Sequence, residues 1–417
     1  MTPTSRLFLR IRITHYTLRI TYSFLTLSLL TAFLASCAQA STPAPTADIN
    51  AASTQAMATL STAIKQTAQA PTAVPTETPT LTLALSTVEG PTIPRTPPTL
   101  PAGFATLLLN PLDTPHTYIT DTCQYLKARW DPNNAAPGTI VMVIMFHSIL
   151  KPGDELSDYS QITSGAFEIL MRDLHEQDFQ AINTSQLADF LERNAKIPPR
   201  SVLLLVDDRK DRYYFDTLFY PYWQQYGWPV VNAWLSTPLS SADLWQQQVD
   251  LEAEGWVDHQ AHGVVHNIGI TSSSTDDFIM SEMKGSIDAF QTHFNKKPIA
   301  YIWPLGWFTA HAAQIGRQLG YQLGFTINPR GPLMFDWIPL SDNPDPQRPS
   351  YMPEGSVNDP LMVLPRFWSY DADKHIDDVR VIGREAADYA AANKATELEY
   401  YDIVCAPDYG PIPVATP

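Results

Sequence analysis

The segment SVLLLVDD, residues 201–208, is a short apolar run that ends in two adjacent aspartates. Apolar runs of this length are typical of strands that are buried on both faces of a parallel sheet. Similar runs occur at 139–145, 229–234, 298–303 and 321–327, with amphipathic stretches between them. This alternation predicts a parallel α/β fold, and a region of about 300 residues suits a TIM-like barrel.

Apolar residues at helical spacing predict a helix over residues 279–294, and Ser274 and Asp276 are candidates for its N-cap. A second pattern, over residues 167–174, predicts a helix between the first two strands. Residues 341–360 are polar and rich in proline, and we expect them to form a loop over one rim of the barrel.

Polar residues follow the predicted strands closely. His147 comes after the first run, Asp207 and Asp208 end the second, and His262 and His266 follow a later short segment. The carboxyl ends of the strands are where parallel barrels carry their active sites. Core packing alone does not predict such a bias, so these five residues are candidates for a functional site.

Their chemistry indicates a metal centre. Two adjacent carboxylates at a buried strand end raise each other's pKa because their negative charges repel. A bound cation offsets this repulsion for one of them. His262 and His266 are four residues apart, so a helical turn would direct both imidazoles the same way. Two histidines and one carboxylate form a three-ligand set with open positions, and the second carboxylate is then free to act as a general base.

The order of these motifs resembles the polysaccharide deacetylase family, also called the NodB-homology or carbohydrate esterase family 4 group. The resemblance extends from about residue 140 to 367, over half of the chain. It rests on five segments, namely Met145-Phe146-His147, Leu205-Val206-Asp207-Asp208-Arg209, His262-Gly263-Val264-Val265-His266, Trp303-Pro304-Leu305-Gly306 and Leu364-Pro365-Arg366.

The resemblance implies a distorted (β/α)7 barrel that removes acetyl groups from a glycan, such as an N-acetylglucosamine polymer. It implies that Asp207 is the catalytic base, oriented by Arg366. It also implies that a divalent ion, in most members zinc, is held by Asp208, His262 and His266. The residues that would contact the substrate are His147, Trp303, Pro304 and Gly306, and Trp307 is a further candidate for stacking on a sugar ring.

Two departures from the family pattern leave alternatives open. Arg209 replaces the glycine after the aspartate pair, where its bulk and charge could alter the loop or pair with Asp207, and such a pair would lower the pKa of that carboxylate and weaken it as a base. The family's Leu-x-His element, which supplies a general acid, has no convincing match. A second hypothesis is therefore an inactive, metal-containing glycan-binding protein. A third is a glycoside hydrolase with two carboxylates across a cleft, but the adjacent aspartates with two histidines disfavour it.

The N-terminus predicts export and anchoring. Residues 1–36 contain basic but no acidic residues, and their apolar run ends in Leu34-Ala35-Ser36-Cys37, which resembles the lipobox of bacterial lipoproteins. We expect a lipoprotein signal peptide over 1–36, with lipidation at Cys37. Residues 37–102 are rich in Thr, Pro and Ala and predict a disordered linker. Residues 103–417 are the expected catalytic domain.

Charge and cysteines bear on partners and location. The formal net charge is −16, and removal of the four arginines in 1–36 takes it to about −20, which disfavours nucleic-acid binding. Cys123 and Cys405 are an even pair near the two ends of the domain, and outside the cytoplasm they favour a disulfide. The expected protein is a monomer that acts on an acetylated polysaccharide from an extracytoplasmic membrane surface, held there by its lipid.

Overall fold

The apolar run that ends in the aspartate pair forms the strand Arg200–Asp207 at the centre of the sheet. Every residue of this strand after Arg200 is buried. The structure is a computed structural model that describes residues 95–265 and 268–414. The predicted signal peptide, the lipidation site Cys37, most of the linker and His266 lie outside these described residues.

Twelve strands are present in the described residues: β1 (Asp113–His116), β2 (Ile140–Phe146), β3 (Ser148–Leu150), β4 (Gln161–Thr163), β5 (Gln180–Ala181), β6 (Arg200–Asp207), β7 (Val230–Trp234), β8 (Val257–Ala261), β9 (Ala300–Ile302), β10 (Leu323–Phe325), β11 (Ile338–Ser341) and β12 (Phe367–Trp368). Eight of them form one sheet, ordered β10-β9-β8-β7-β6-β2-β12, with β5 beside β6. Every pairing in this sheet is parallel. All five apolar runs of the sequence form strands of this sheet, which confirms that part of the prediction.

The two edges of this sheet are joined by one segment. Leu364 forms a parallel bridge with Phe325 of β10, and three residues later β12 pairs with β2. Seven parallel strands are thereby arranged around a common core, and their connections run through helices. This is the distorted (β/α)7 barrel that the motifs implied.

Ten α-helices are present in the described residues: α1 (Thr122–Trp130), α2 (Ser164–Glu176), α3 (Thr184–Arg193), α4 (Arg212–Leu218), α5 (Tyr220–Tyr226), α6 (Ala242–Ala253), α7 (Asp276–His293), α8 (Ala310–Leu319), α9 (Ile376–Tyr400) and α10 (Ala406–Tyr409). Helix α7 is the one predicted over 279–294, but its N-cap is Thr275, whose hydroxyl accepts a hydrogen bond from the Phe278 amide. The prediction of Ser274 or Asp276 at this cap was wrong by one residue.

The N- and C-terminal parts of the domain pack together at the end of the barrel where the strands begin. Leu100 packs beside Leu126, Tyr401 and Cys405, and a disulfide joins Cys123 of α1 to Cys405. Residues 95–102, assigned to the linker by their composition, thus contact the body of the domain. In the described residues, no helix has the length and apolar character needed to cross a membrane.

Candidate active site

The carboxyl ends of three barrel strands and the segment just before β12 bring together the polar residues that the sequence singled out. Asp207 ends β6, His147 follows β2, His262 follows β8, and Arg366 precedes β12. Asp208 follows Asp207 with a left-handed backbone (φ +63°), which turns the chain sharply at the strand end. The parallel register of the sheet therefore places all five at one mouth of the barrel.

Asp207 is held by Arg366. The Nη1 atom of Arg366 donates to both carboxylate oxygens of Asp207, at 2.8 and 2.9 Å. The Nε atom of the same guanidinium donates to the Thr326 carbonyl at 2.6 Å, which fixes its orientation. Both partners are almost fully buried. A buried ion pair needs good hydrogen-bond geometry, and these contacts hold the Asp207 carboxylate at a fixed position.

Asp208 and His262 form the second pair. His262 Nε2 lies 3.5 Å from Asp208 Oδ1, while its Nδ1 lies 2.9 Å from the Ile302 carbonyl. Burial by itself lowers the pKa of His262, but the neighbouring Asp208 and Asp207 carboxylates outweigh it and raise that pKa. The carbonyl of Ile302 requires a proton on Nδ1, and a neutral ring then has its Nε2 lone pair directed at Asp208.

These two residues fit a divalent cation. His262 Nε2 and Asp208 Oδ1 lie 3.5 Å apart, and an imidazole nitrogen and a carboxylate oxygen are ligand types that would hold a zinc ion. Metal-binding histidines commonly donate a hydrogen bond from the ring nitrogen that does not bind the metal to a backbone carbonyl, as His262 Nδ1 does to Ile302. The third predicted ligand, His266, lies outside the described residues, and the described residues alone contain no group of three such ligands.

The loop after His262 has a different conformation from the one expected. Residues 262–265 do not form a helical turn, and Gly263 has φ +82°. The carboxylate of Glu282 on α7 accepts hydrogen bonds from the Val264 and Val265 amides, at 2.9 and 3.0 Å. A Cβ on Gly263 would lie 2.6 Å from the same carboxylate. Sequence analysis missed Glu282 because it is a single acidic residue among apolar helix positions.

His147 lies on the other side of Asp207. Its Nε2 is 3.7 Å from Asp207 Oδ2, and its ring stacks on Trp368 with centroids 5.6 Å apart. Burial lowers the pKa of the imidazole, against the opposing effect of the Asp207 carboxylate. His147 therefore lies beside Asp207, with its Nε2 facing the carboxylate.

Arg209 does not pair with Asp207. Its guanidinium donates to the His147 carbonyl and the Ser148 hydroxyl, and it lies over the Tyr214 ring at 5.3 Å. The expectation that Arg209 weakens the base is therefore wrong. The turn at Asp208 directs the following side chain to the loop after β2, so Arg209 holds the segment that carries His147.

The Trp-Pro-Leu-Gly loop is mainly structural. Trp303 is fully buried and donates from Nε1 to the Met362 carbonyl at 2.8 Å, so it offers no face to a sugar. Pro304 is buried as well, and a Cβ on Gly306 would lie 2.4 Å from Ile327. Trp307 is the exposed aromatic of this loop, with 46% of its surface accessible.

Comparisons with known proteins agree with this site. The sequence profile described as polysaccharide deacetylase matches residues 194–324, which include both aspartates and both histidines. A curated protein of Bacillus subtilis (strain 168), "Putative polysaccharide deacetylase YxkH", is 24% identical over 190 residues. That alignment covers 45% of this chain and 64% of the relative, so the chain spans less than two thirds of it.

Solved structures are also similar to parts of this chain, and two of them are described here. The Streptococcus pyogenes deacetylase PplD in complex with acetate is 19% identical, with 58% of this chain and 98% of that chain covered and a TM-score of 0.45. IcaB from Ammonifex degensii is 15% identical, with 58% and 97% covered and a TM-score of 0.43.

Residues 194–324, which include the paired aspartates and the histidines, thus match a polysaccharide deacetylase domain, as the motifs predicted.

Proposed function

We propose that this protein is a divalent-metal hydrolase that removes acetyl groups from an extracytoplasmic glycan, with an N-acetylglucosamine polymer as the favoured substrate. The observation that carries the proposal is the buried Asp207 carboxylate, held by Arg366 beside the Asp208 and His262 pair. Arg366 fixes the position of this carboxylate at the mouth of the barrel, where it can accept a proton from a reactant in the site.

The geometry supports the following reaction. Asp208, His262 and His266 would hold the ion, with zinc as the candidate, and the bound ion would supply Lewis-acid polarisation of the acetyl carbonyl. Asp207 accepts a proton from water as the water oxygen attacks the carbonyl carbon. The bond between carbon and nitrogen then breaks, acetate leaves, and the amine takes up a proton. That proton is the one that Asp207 accepted from the water, and His147, 3.7 Å from Asp207, is placed to relay it.

The inactive glycan-binding alternative loses its main support. It rested on an ion pair between Arg209 and Asp207, and the Arg209 guanidinium is bound instead to the His147 carbonyl and Ser148. The missing Leu-x-His element is compensated, in this proposal, by His147.

The test is acetate release from N-acetylglucosamine oligomers by the whole chain and by Asp207→Asn. Asn keeps the shape of the side chain but cannot accept the proton, so we expect a loss of at least about 100-fold. Asp288→Asn, in an exposed ion pair with Lys284, is the matched control and should retain full activity. Equal activity of Asp207→Asn and wild type would refute the assignment of the base.

We further propose that the domain is displayed outside the cytoplasm by a lipid on Cys37. The lipobox-like sequence supports this proposal, and the disulfide between Cys123 and Cys405 is typical of an oxidising compartment. Mass spectrometry of the mature N-terminus tests it. A diacylglyceryl-modified Cys37 is expected, and a mature chain that retains residues 1–36 would contradict it.

A further inference from the structure

One buried carboxylate next to the site has no part in the mechanism. Glu282 lies on the face of α7 that packs into the core, and only 1% of its surface is exposed. The other buried residues of this face are Ile279, Met283, Ser286 and Phe290. A carboxylate at such a position is costly unless its partners compensate for the water that it loses. Core packing therefore does not explain an acidic residue here, and its partners indicate what it does.

The partners of Glu282 are backbone amides of the loop after His262. Its Oε2 atom accepts hydrogen bonds from the amides of Val264 and Val265, at 2.9 and 3.0 Å. Consecutive amides that point at one oxygen form a small concave site for an anion, and the carboxylate occupies it. Helix α7 thereby fixes the course of the chain directly after a residue of the metal-binding pair.

Gly263 is matched to this contact. Its backbone has φ +82°, in the left-handed region that favours glycine. A Cβ at this position would lie 2.6 Å from Glu282 Oε2 and 3.3 Å from the Tyr301 hydroxyl. A side chain at residue 263 would therefore displace the carboxylate from the two amides.

The first half of the same turn is fixed by the neighbouring strand. The amide of His262 donates to the Trp234 carbonyl at 3.0 Å, and the Ser236 amide donates to the Gly263 carbonyl at 2.9 Å. The two amides that follow are bound by Glu282 instead. The turn is thus held from both sides, and removal of Glu282 would release its second half while β8 still held the first.

We propose that Glu282 is a positioning residue, which sets the course of the chain after His262 so that the divalent ion is bound with full affinity. This inference rests on the proposed function, in which His262 is a ligand of that ion. In this role Glu282 acts through the two amides and is not itself a ligand. Groups that support metal ligands in this way typically change metal affinity by about 10- to 100-fold when they are removed.

The test is zinc binding by the metal-free whole chain, measured by calorimetry. Glu282→Met keeps the length of the side chain but removes both accepting oxygens, so the Kd for zinc should rise by about 10- to 100-fold. Glu282→Gln keeps an oxygen that can accept from both amides, so its Kd should stay within about threefold of wild type. Ser286→Ala is the matched control, because it removes a buried hydroxyl from the same helix face that bonds only to the Glu282 carbonyl, and its Kd should not change.

Hydrogen exchange of the Val264 and Val265 amides reports on the loop without metal. Exchange should be at least about tenfold faster in Glu282→Met than in wild type or Glu282→Gln. Gly263→Ala keeps Glu282 but displaces its carboxylate, so it should reproduce both effects and supplies the same test if Glu282→Met does not fold.

The outcomes separate this inference from the proposed function. If Glu282→Met and Gly263→Ala leave either the Kd or the exchange unchanged, or if Glu282→Gln binds zinc as weakly as Glu282→Met, the positioning role is wrong. If wild type binds no zinc although exchange responds as described, the metal centre of the proposed function fails, whereas the hold of Glu282 on the loop stands.

Discussion

Replacement of Arg366 by methionine is the perturbation whose result follows most directly from the structure. Methionine fills a similar volume but removes the positive charge from a site where Asp207 is buried with it. The variant therefore leaves a carboxylate without its cation in the interior, and also breaks the hydrogen bond from Nε to the Thr326 carbonyl.

The magnitude can be worked out from this arrangement. Loss of one partner of a buried ion pair typically costs about 3–5 kcal/mol of unfolding free energy. The double variant Arg366→Met/Asp207→Asn carries no unpaired charge, so its cost should fall below the sum of the two single variants by about 1–3 kcal/mol. Arg366→Lys keeps the charge but loses the two-oxygen geometry, so its cost should lie between those of wild type and Arg366→Met.

Urea unfolding at neutral pH measures these differences. Lys284→Met is the control, because it removes a similar long cation from an ion pair whose side chains are more than half exposed, and it should cost at most about 1 kcal/mol. If Arg366→Met costs no more than Lys284→Met, and the double variant equals the sum of the single ones, the pair does not hold the carboxylate as described.

Three further predictions concern other parts of the domain. Burial raises the pKa of Asp336 to about 6 from its ordinary 3.8, so the folded state keeps a proton that the unfolded state has lost between these values. Stability should therefore fall by about 2–3 kcal/mol as pH rises through this window, and in Asp336→Asn this fall should be absent from urea unfolding curves. Cys123→Ser opens a loop between residues 282 positions apart, so unfolding free energy should drop by about 5 kcal/mol, with reduced wild type as the comparison. Arg209→Gly frees the His147 segment and should lower both the melting temperature and acetate release, whereas faster release would mean that Arg209 restrains the base.

The barrel could be predicted from the sequence because its strands are buried on both faces and are therefore continuous apolar runs. The run at residues 201–206 became part of β6, and the polar residues after each run met at one mouth. By contrast, the antiparallel pair β1 and β11 was not predicted. Its strands are short and come from parts of the chain more than 200 residues apart. Local sequence patterns therefore do not predict that these two strands pair.

The errors at the site have a common physical origin. A pair between Arg209 and Asp207 was one of two alternatives for this residue, but the left-handed backbone at Asp208 directs Arg209 to His147 and Ser148 instead. Trp303 was expected to face the substrate because it belongs to a motif at a strand end, yet its ring fills the core. Backbone turns and the direction of side chains depend on tertiary contacts, and the one-dimensional pattern does not contain them.

The most direct test of the central claim is acetate release before and after metal removal. The whole chain is treated with a chelator and given an N-acetylglucosamine oligomer, and zinc is then added back in steps. Acetate release should disappear on chelation and return fully at about one zinc per chain, with no return in Asp208→Ala. Release that continues unchanged after chelation, or returns equally in Asp208→Ala, would contradict a metal-dependent deacetylase with Asp208 as a ligand.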